Sequence, residues 1–564
     1  MKPQIYADKH RFSERKLKRL SRIKLFSKNS FLSSDILFIS TKLSAFICVN
    51  LWLFFLISCN SQPTDLRSLA PAETLVYLET NDLSKTLDAL TENKAFETLA
   101  KNKPDFSALE KMQLAVVVTG FETSEQQVTT ENAVLNFKPR FVAIAETHAW
   151  NWQTLKFTEN KLGEFVNETY GGEVSLEKVD KNGGTSFVWT AKNGRKVFAF
   201  VRNSRIFFGN DESAIEKCLA VGRGEADSLA KSGRNFENAK DALALGYVSG
   251  DGIAQIANLV GVQAAIEATD EDGGRSFIAE VLPPLLRNSV REVFWTATKT
   301  DNGIEDKYSI TLAPEVASVF KETLVPPTKN QTNSTEFLPP EIFSATRYNL
   351  KNPQIAWRSL LLVAAKQTDA LSGKILIEFS GSLLAAYGVS DAETFISAID
   401  SDILTAQFDA EGEKPVVIVG VKDSTNLKKS IAEINFKIPG EKQENAEIWK
   451  SEEGEIAAAF TENKLILGDA ESVLNCLQAK KNKRNFTGNA LYKAFIEGDS
   501  VAATFGKDDN SAEKIVKVLA ETKTENQRVV TNYITKTRVI EKGIERKTVS
   551  PFGLIGKILE QFEK

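Results

Sequence analysis

The chain has 564 residues and a net charge of −4 at pH 7; 42% of its residues are apolar and 26% are charged. This composition is typical of a folded protein with two to four domains. Its near-neutral charge disfavours nucleic acid as a partner, because phosphate binding requires dense Lys and Arg. His10 and His148 are the only histidines in the sequence, which disfavours catalysis by a histidine base and multi-histidine metal sites.

The N-terminal 42 residues are basic, with eleven Lys and Arg, and an apolar run follows from Leu43 to Ser58. A run of about 16 residues has the length of a secretory-signal core and is short for a membrane-spanning helix. The basic flank keeps the N-terminus on the cytoplasmic side. We therefore expect residues 1–58 to be an export signal.

The apolar run ends in Leu56-Ile57-Ser58-Cys59. An aliphatic residue, a variable one, a small one and then Cys resembles the lipobox of bacterial lipoproteins. The resemblance implies that the signal is cut before Cys59 and that Cys59 carries the lipid that anchors the protein to a membrane. Asn60 in the next position implies the outer membrane. The alternative is a single-pass inner-membrane protein with residues 60–564 outside the cytoplasm.

Removal of residues 1–58 leaves 59 of the 70 basic and 71 of the 74 acidic residues, a net charge of about −12. This charge disfavours an anionic lipid surface as the main partner, since such surfaces attract basic proteins. The expected membrane contact is therefore the lipid on Cys59.

From residue 74 onward, the pattern alternates between strand and helix. Runs of apolar or alternating residues predict strands at 74–79, 113–119, 140–145, 186–190, 196–201, 205–209 and 292–298. Apolar residues at helical spacing predict helices at 83–90, 152–170, 212–220 and 314–324, with further Leu- and Ala-rich helical stretches at 261–290 and 357–390. Asn182-Gly183 and Asn193-Gly194 predict hairpins, so the fold class is α+β with a mainly antiparallel sheet.

The sequence also indicates an internal duplication. Residues 204–215 align without a gap to residues 463–474, each a strand, a Gly turn and an acidic helix start. Shorter matches follow in the same order: Pro71–Glu73 with Pro339–Glu341, Lys138-Pro139 with Lys414-Pro415, Arg234–Phe236 with Arg484–Phe486, Gly250-Asp251 with Gly498-Asp499, and Gly303–Glu305 with Gly543–Glu545. Shared order favours two tandem homologous halves.

The predicted organisation places a signal, a tether and two repeats along the chain. The boundaries are 1–58 for the signal peptide, 59–67 for the lipid tether, 68–325 for the first repeat, 326–336 for a polar linker and 337–564 for the second repeat. This order of motifs is similar to an uncharacterised bacterial domain family of envelope lipoproteins and single-pass proteins. The resemblance implies no catalytic residues.

The sequence contains no catalytic or metal motif that we can assign, and we expect no cofactor. Cys218 and Cys476 lie within helical patterns and are interpreted as small buried hydrophobes, and His148 as a surface-loop residue. Asp251 is interpreted as a helix N-cap. The acidic stretch 270–272 departs from a calcium loop, because position six is Arg275 and not Gly.

Repeated carboxylates and aromatic residues have structural interpretations as well. Glu212 and Glu471 occupy matching helix starts, which favours a role at the helix dipole, as does the repetition of Glu73 and Glu341 at matching places. Core packing is the expected role of the tryptophans Trp150, Trp152, Trp189, Trp295, Trp357 and Trp449.

Three functional hypotheses remain. The first is a non-catalytic envelope lipoprotein that binds an apolar ligand or a protein partner. The second is a hydrolase that uses carboxylates alone, which requires two Asp or Glu about 5–10 Å apart in a polar cleft. The third is a structural spacer without a sizeable pocket.

Overall fold

The structure is a computed structural model, and it describes residues 63–127, 133–234, 236, 241–267, 273–327, 333–381, 384–431, 436, 440–443, 445–523 and 528–562. The predicted signal and Cys59 lie outside these residues, as does the acidic stretch 270–272. Among the described residues, no helix combines the length and the apolar character needed to cross a bilayer.

Helices and strands alternate along the chain, as an α+β fold requires. The strands are β1 Val76–Thr80, β2 Gln113–Gln127, β3 Ala133–Glu146, β4 Ser175–Lys181, β5 Gly184–Thr190, β6 Lys196–Arg202, β7 Arg205–Gly209, β8 Ala244–Ser249, β9 Val290–Thr300, β10 Gly303–Leu312, β11 Ser344–Asn349, β12 Ile399–Gln407, β13 Pro415–Val421, β14 Glu441–Gln443, β15 Ala446–Lys450, β16 Ile456–Phe460, β17 Lys464–Asp469, β18 Ala502–Asp508, β19 Thr531–Ile540 and β20 Gly543–Ser550. The helices are α1 Leu83–Thr91, α2 Lys94–Leu99, α3 Asn151–Phe157, α4 Gly163–Thr169, α5 Glu212–Arg223, α6 Gly250–Glu267, α7 Gly273–Ser289, α8 Pro314–Thr323, α9 Pro353–Lys366, α10 Ala370–Ser380, α11 Ala392–Ser397, α12 Ser424–Ile431, α13 Ala470–Lys481, α14 Tyr492–Ile496, α15 Ser511–Leu519 and α16 Gly553–Glu560.

All twenty strands belong to one antiparallel sheet. Their order across the sheet is β4-β5-β6-β7-β3-β2-β1-β8-β9-β10-β20-β19-β18-β11-β12-β13-β17-β16-β15-β14. When the strands are counted inward from the two edges, strands at the same position differ in number by ten. By position, β1 therefore corresponds to β11 and β10 to β20. The two halves meet where β10 pairs with β20.

The β10–β20 pairing is symmetric about two lysines. Lys307 lies directly opposite Lys547, and Ile304 pairs with Ser550 as Ile310 pairs with Ile544. On either side of the centre, Lys307 forms an ion pair with Glu545 at 3.0 Å, and Lys547 one with Glu305 at 3.4 Å. The junction therefore has the pattern of an isologous contact within a single chain.

The described residues form five separate apolar cores on the sheet, three on one face and two on the other. The face that bears Trp295 and Thr535, called the cleft face below, has one core beneath α1, α2, α15 and α16, another around Trp449 and a third around Val316, where α6, α8 and α9 pack. The back face, which bears Tyr77 and Ala345, has its cores around Cys218 in the first half and Cys476 in the second. The cleft face is open between the first two of its cores, where the site described below lies.

The predicted elements of the first half agree with the structure in type. The strand predicted at 205–209 is β7, and the long helix predicted at 152–170 is α3 and α4 joined by a π turn at Thr158–Leu162. Asn182 and Gly183 both have positive φ, as the predicted tight hairpin turn requires. The antiparallel α+β class is confirmed.

Two of the sequence matches lie at the same structural positions in both halves, and a third does not. Pro71–Glu73 and Pro339–Glu341 precede β1 and β11 by the same distance, and Gly303 and Gly543 begin β10 and β20. Gly250-Asp251, in contrast, follows β8, whereas Gly498-Asp499 precedes β18, so this match is wrong. A glycine near a strand end occurs too often to fix a register.

Two other matches are displaced as well. The backbone N–H of Leu229 donates to Ala70 O and that of Phe486 to Leu338 O, so Phe486 corresponds to Leu229 and not to Phe236. Lys138-Pro139 and Lys414-Pro415 are out of register by two residues, since Gly209 pairs with Val142 and Gly468 with Val416.

The described parts of the segments predicted as tether and linker are folded onto the body. Leu66 and Leu69 lie in a 3-10 turn packed against the back-face core, and Thr64 exchanges hydrogen bonds with Gln113. At the other boundary, Ser334 is fully buried, and its backbone N–H and hydroxyl both donate to Asp402. Both polar segments contain apolar or capping residues that fold onto the body.

Candidate functional site

A cleft of about 1030 Å³ lies on the cleft face over β10, β20, β19, β18, β11 and β12. One wall is formed by the starts of α15 and α16, and the other by Tyr387 and the turn at 409–412. A volume of this size is typical of a ligand site. A second cavity, lined by Met112, Phe157 and other apolar residues, has about 10 Å³ and can hold at most one water molecule.

Five threonines form a single row along the floor of the cleft, and all but Thr504 line it. They occupy directly paired positions on five neighbouring strands, in the order Thr405, Thr346, Thr504, Thr535 and Thr548, and the row ends at Asp306 on β10. Adjacent strands lie about 4.8 Å apart, so the row extends over about 20 Å. We call this set the threonine row.

Hydrogen bonds connect four of the five threonines in two pairs, and Thr405 bonds instead to Tyr348 and Tyr387. The hydroxyl oxygens of Thr346 and Thr504 are 3.0 Å apart, and those of Thr535 and Thr548 are 2.9 Å apart. Each hydroxyl has one donor and two acceptor positions, so a bonded pair retains one O–H donor and several lone pairs. The row can therefore both donate to and accept from a bound molecule.

An aromatic platform lies beside the row. The ring of Tyr533 crosses over Gly506, where an added Cβ would come within 2.3 Å of the ring, so a side chain at position 506 would displace the tyrosine. Burial raises the pKa of Tyr533, and it raises the pKa of Tyr387 to about 12. Both phenols stay protonated at neutral pH and remain hydrogen-bond donors.

A carboxylate and an ammonium group are paired at the α15–α16 wall. Lys557 Nζ lies 2.6 Å from Asp508 Oδ2 and also contacts the hydroxyl of Ser511. Burial disfavours the charged form of Asp508, but the charge of Lys557 and the hydrogen bonds from Lys557 and Ser511 outweigh it and lower the pKa to about 2. Asp508 is therefore ionised at neutral pH.

Asp306, at the end of the threonine row, has the opposite environment. It is 3% exposed and accepts hydrogen bonds of 2.8 Å from Trp295 Nε1 and from the backbone N–H of Leu554 at the start of α16. Burial raises its pKa to about 6 in spite of these two donors. The residue connects the floor of the cleft to its wall.

The corresponding row of the first half is apolar. Leu78 of β1, which takes the place of Thr346, is paired with Val116 and Gly246, and Gly246 is paired with Trp295. Leu78 and Trp295 pack into the core beneath α1 and α16. The floor is thus covered in one half and open in the other, so we assign the site to the second half.

Both internal cysteines are buried in the cores, as predicted. Cys218 and Cys476 are each 0% exposed, and neither forms a disulfide. Burial raises the pKa of Cys218 to about 12 and also raises that of Cys476. These thiols are packing groups.

Glu212 and Glu471 lie in the first turns of α5 and α13, and each pairs with a lysine from another element. Glu212 is 3.2 Å from Lys181 and Glu471 is 2.7 Å from Lys414. The predicted placement at a helix start is confirmed.

One predicted role holds only in part and another is wrong. His148 lies in the loop after β3, as predicted, but its side chain is only 12% exposed, with Nδ1 at 4.0 Å from Glu146 Oε1. Asp251 lies inside α6, and the Ser249 hydroxyl accepts the hydrogen bond from Gly252 N instead and caps the helix.

The tryptophans divide into two groups. Trp189, Trp295 and Trp449 are buried, and Trp357 packs against a core as predicted. Trp150 and Trp152 are 65% and 63% exposed, so the prediction of core packing is wrong for both. They flank the first residue of a short helix whose buried side is formed by Gln153, Thr154 and Phe157.

The described part of the chain contains no group of three or more His, Cys, Asp or Glu suited to a metal ion. No protein-family model, curated protein or solved structure matches this chain.

The threonine row does not follow from any sequence motif. The sequence contains only an indirect signal. Strands β19 and β20 include the sequences Thr-Asn-Tyr-Ile-Thr-Lys-Thr and Gly-Ile-Glu-Arg-Lys-Thr. Polar residues occupy positions that are apolar in a strand buried on that face. Recognition of the row required the strand order, which joins residues as distant as Thr405 and Thr548.

Proposed function

We propose that this chain is a lipid-anchored protein of the bacterial envelope, made of two homologous halves, the second of which binds a polar glycan in the threonine cleft without chemical change. The observation that carries the proposal is the row of five threonines beside the Tyr533 ring, four of which line the cleft. The lipid anchor is supported by the sequence Leu56-Ile57-Ser58-Cys59.

The homology of the halves is supported by three independent features. The strand order is the same from both edges, Gly-Ile-Glu begins both β10 and β20, and the two helix-start glutamates each pair with a lysine. A duplicated body also explains why the first half covers the row that the second half leaves open, since a second copy is free to diverge once the first maintains the core.

The lining of the cleft favours a polar ligand over the apolar one expected from the sequence. Hydroxyls form the floor, and Lys507, Arg528 and Arg546 face the cleft together with Asp409 and Glu411. Sugar rings offer hydroxyls to such a floor and an apolar face to an aromatic ring. Amide or carboxylate substituents on the sugars would match the mixed charges.

The alternative of a carboxylate hydrolase has one observation in its favour. Asp306 and Asp508 line the same cleft with pKa values displaced in opposite directions, as an acid and a base require. However, Asp306 is almost fully buried with both oxygens occupied, and Asp508 is held by Lys557. Binding without hydrolysis therefore fits the geometry better.

The test is co-sedimentation of the detergent-extracted full chain with purified peptidoglycan sacculi. The double variant Thr346→Val/Thr504→Val removes both members of a hydrogen-bonded pair, so no partner is left unsatisfied and stability should be nearly unchanged. Loss of the ligand hydrogen bonds that this pair provides should weaken binding roughly tenfold. The matched control is Thr296→Val/Thr298→Val, two threonines on the back face of β9 in the same sheet.

Each outcome has a distinct meaning. Equal binding by both double variants would remove the threonine row from the site, and no binding by the unmodified protein would overturn the glycan. Release of soluble fragments from the sacculi, abolished by Asp306→Asn or Asp508→Asn, would establish the hydrolase instead.

A further inference from the structure

Two exposed tryptophans lie at the end of the sheet from which the N-terminal tether leaves. Two hydrogen bonds fix Thr64 at this end: its N–H donates to Gln113 Oε1 at 2.8 Å, and Gln113 Nε2 donates back to Thr64 O at 2.7 Å. Gln113 begins β2 and pairs with Glu146, the last residue of β3. Trp150 follows Glu146 by four residues, so it lies at the same end of the sheet.

The length of the tether places a membrane close to this end. Five residue steps separate Cys59 from Thr64, and a fully extended chain spans at most about 3.6 Å per residue. A lipid-bearing Cys59 therefore lies within about 18 Å of Thr64, whatever path the chain takes. The protein cannot turn this end far from the bilayer surface.

The helix presents both indole rings on a rigid support. Trp150 accepts the first helical hydrogen bonds of α3 through its carbonyl, and its N–H is bonded to the Gln153 side chain. Trp152 stands in the first turn, while Phe157 anchors the helix in the core. The side chains of Trp150 and Trp152 are 65% and 63% exposed because this backbone, held by hydrogen bonds and by the packing of Phe157, directs both rings outward.

We propose that Trp150 and Trp152 insert into the interface of the membrane that holds the lipid anchor and thereby set the orientation of the protein on it. The inference rests on the proposed lipidation of Cys59. Tryptophan favours the bilayer–water interface, because its ring is apolar and its N–H is polar. Contact through indole rings does not require a basic surface, which agrees with the negative charge of the mature chain.

The test uses the intrinsic fluorescence of the full, lipidated chain in phosphatidylethanolamine vesicles with brominated or unbrominated acyl chains. Of the seven tryptophans, Trp52 belongs to the predicted signal, which leaves two exposed residues among six. Brominated lipid should quench up to about a third of the emission, because bromine quenches rings at membrane depth. The quenched component should disappear in Trp150→Ala/Trp152→Ala and persist in 1 M salt.

The matched control is Leu362→Ala/Leu371→Ala. These side chains are 58% and 68% exposed and lie on α9 and α10. The two helices come after the C-terminal end of β11, at the end of the strands opposite to Gln113. Removal of these side chains should leave the quenching unchanged. Circular dichroism in the aromatic region would show that both double variants are folded.

The outcomes separate this inference from the lipid anchor. Sedimentation of the unmodified chain with vesicles but without quenching would overturn the role of the tryptophans and leave the anchor intact. Quenching lost in the leucine variant and retained in the tryptophan variant would place the membrane at the other end. Absence of sedimentation would overturn both proposals.

Discussion

Glu79 shows how strongly a single buried carboxyl group can respond to pH. It lies on the back face of β1, 5% exposed, with the Tyr77 hydroxyl donating to it at 3.1 Å and Arg67 at 4.0 Å. Burial raises its pKa from 4.5 to about 7, in spite of the opposing effects of Arg67 and Tyr77. The carboxyl group is therefore half-protonated near neutral pH.

Because its pKa is raised in the folded protein, ionisation of Glu79 at high pH lowers the free energy of unfolding. The unfolded chain releases the proton near pH 4.5, whereas the folded protein holds it until about pH 7. The free energy of unfolding should therefore fall as pH rises through that interval and then level off. We expect Glu79→Gln to be more stable than the unmodified protein at pH 8, by about 2–3 kcal/mol, and equal to it at pH 4.

Urea unfolding at the two pH values measures this difference. The control is Glu73→Gln, which replaces an exposed carboxylate just before the same strand. An equal effect of Glu79→Gln at both pH values would show that Glu79 does not hold its proton in the folded protein.

At the scale of elements, the pairing of β10 with β20 joins the two ten-stranded parts of the sheet. Its symmetric glutamates differ in environment. Glu545 is 7% exposed and contacts Lys307 and Arg538, whereas the side chain of Glu305 is 29% exposed and contacts Lys547. The two positions form a natural matched pair.

We expect Glu545→Ala to destabilise the protein by about 1–3 kcal/mol, because it removes the partner of Lys307 at a buried position and leaves Arg538 only its contact with Asp499 at 3.4 Å. Glu305→Ala should cost less than about 1 kcal/mol, as is typical of an exposed ion pair. Urea unfolding of both variants checks this order. Equal losses would mean that burial at the junction does not strengthen the Glu545 contacts.

Sequence patterns predict elements well where the physical signal is local. Strand β7 and helix α1 follow from alternation and from helical spacing, and the Asn182-Gly183 turn follows from backbone conformation. Strand β4 was not predicted, because it is an edge strand with all seven residues exposed and so has no apolar alternation. Its charged residues protect an open edge from pairing with another chain.

The site could not be predicted from the sequence in the same way. The threonine row depends on six strands brought together by pairing between distant segments, and neither hydropathy nor spacing encodes that order. Asp306 and Trp295 acquire their roles only when α16 closes over them from the far end of the chain. The exposure of Trp150 was missed because aromatic residues are usually buried, and only the fold shows which way the helix turns them.

At the scale of the whole molecule, the two halves have the same strand order but different uses of the cleft face. The first half covers its row with α1 and α16, whereas in the second half four of the five threonines line the cleft.

Lipidation of Cys59 is the claim on which the location, the orientation and the choice of ligand all depend. Its most direct test is the intact mass of the protein extracted from membranes, compared with that of a Cys59→Ala variant. We expect a mature chain that begins at Cys59 and carries the mass of its acyl groups, and we expect both features to be lost in the variant. An unprocessed chain that retains residues 1–58 would contradict the claim and make the apolar run a membrane anchor instead.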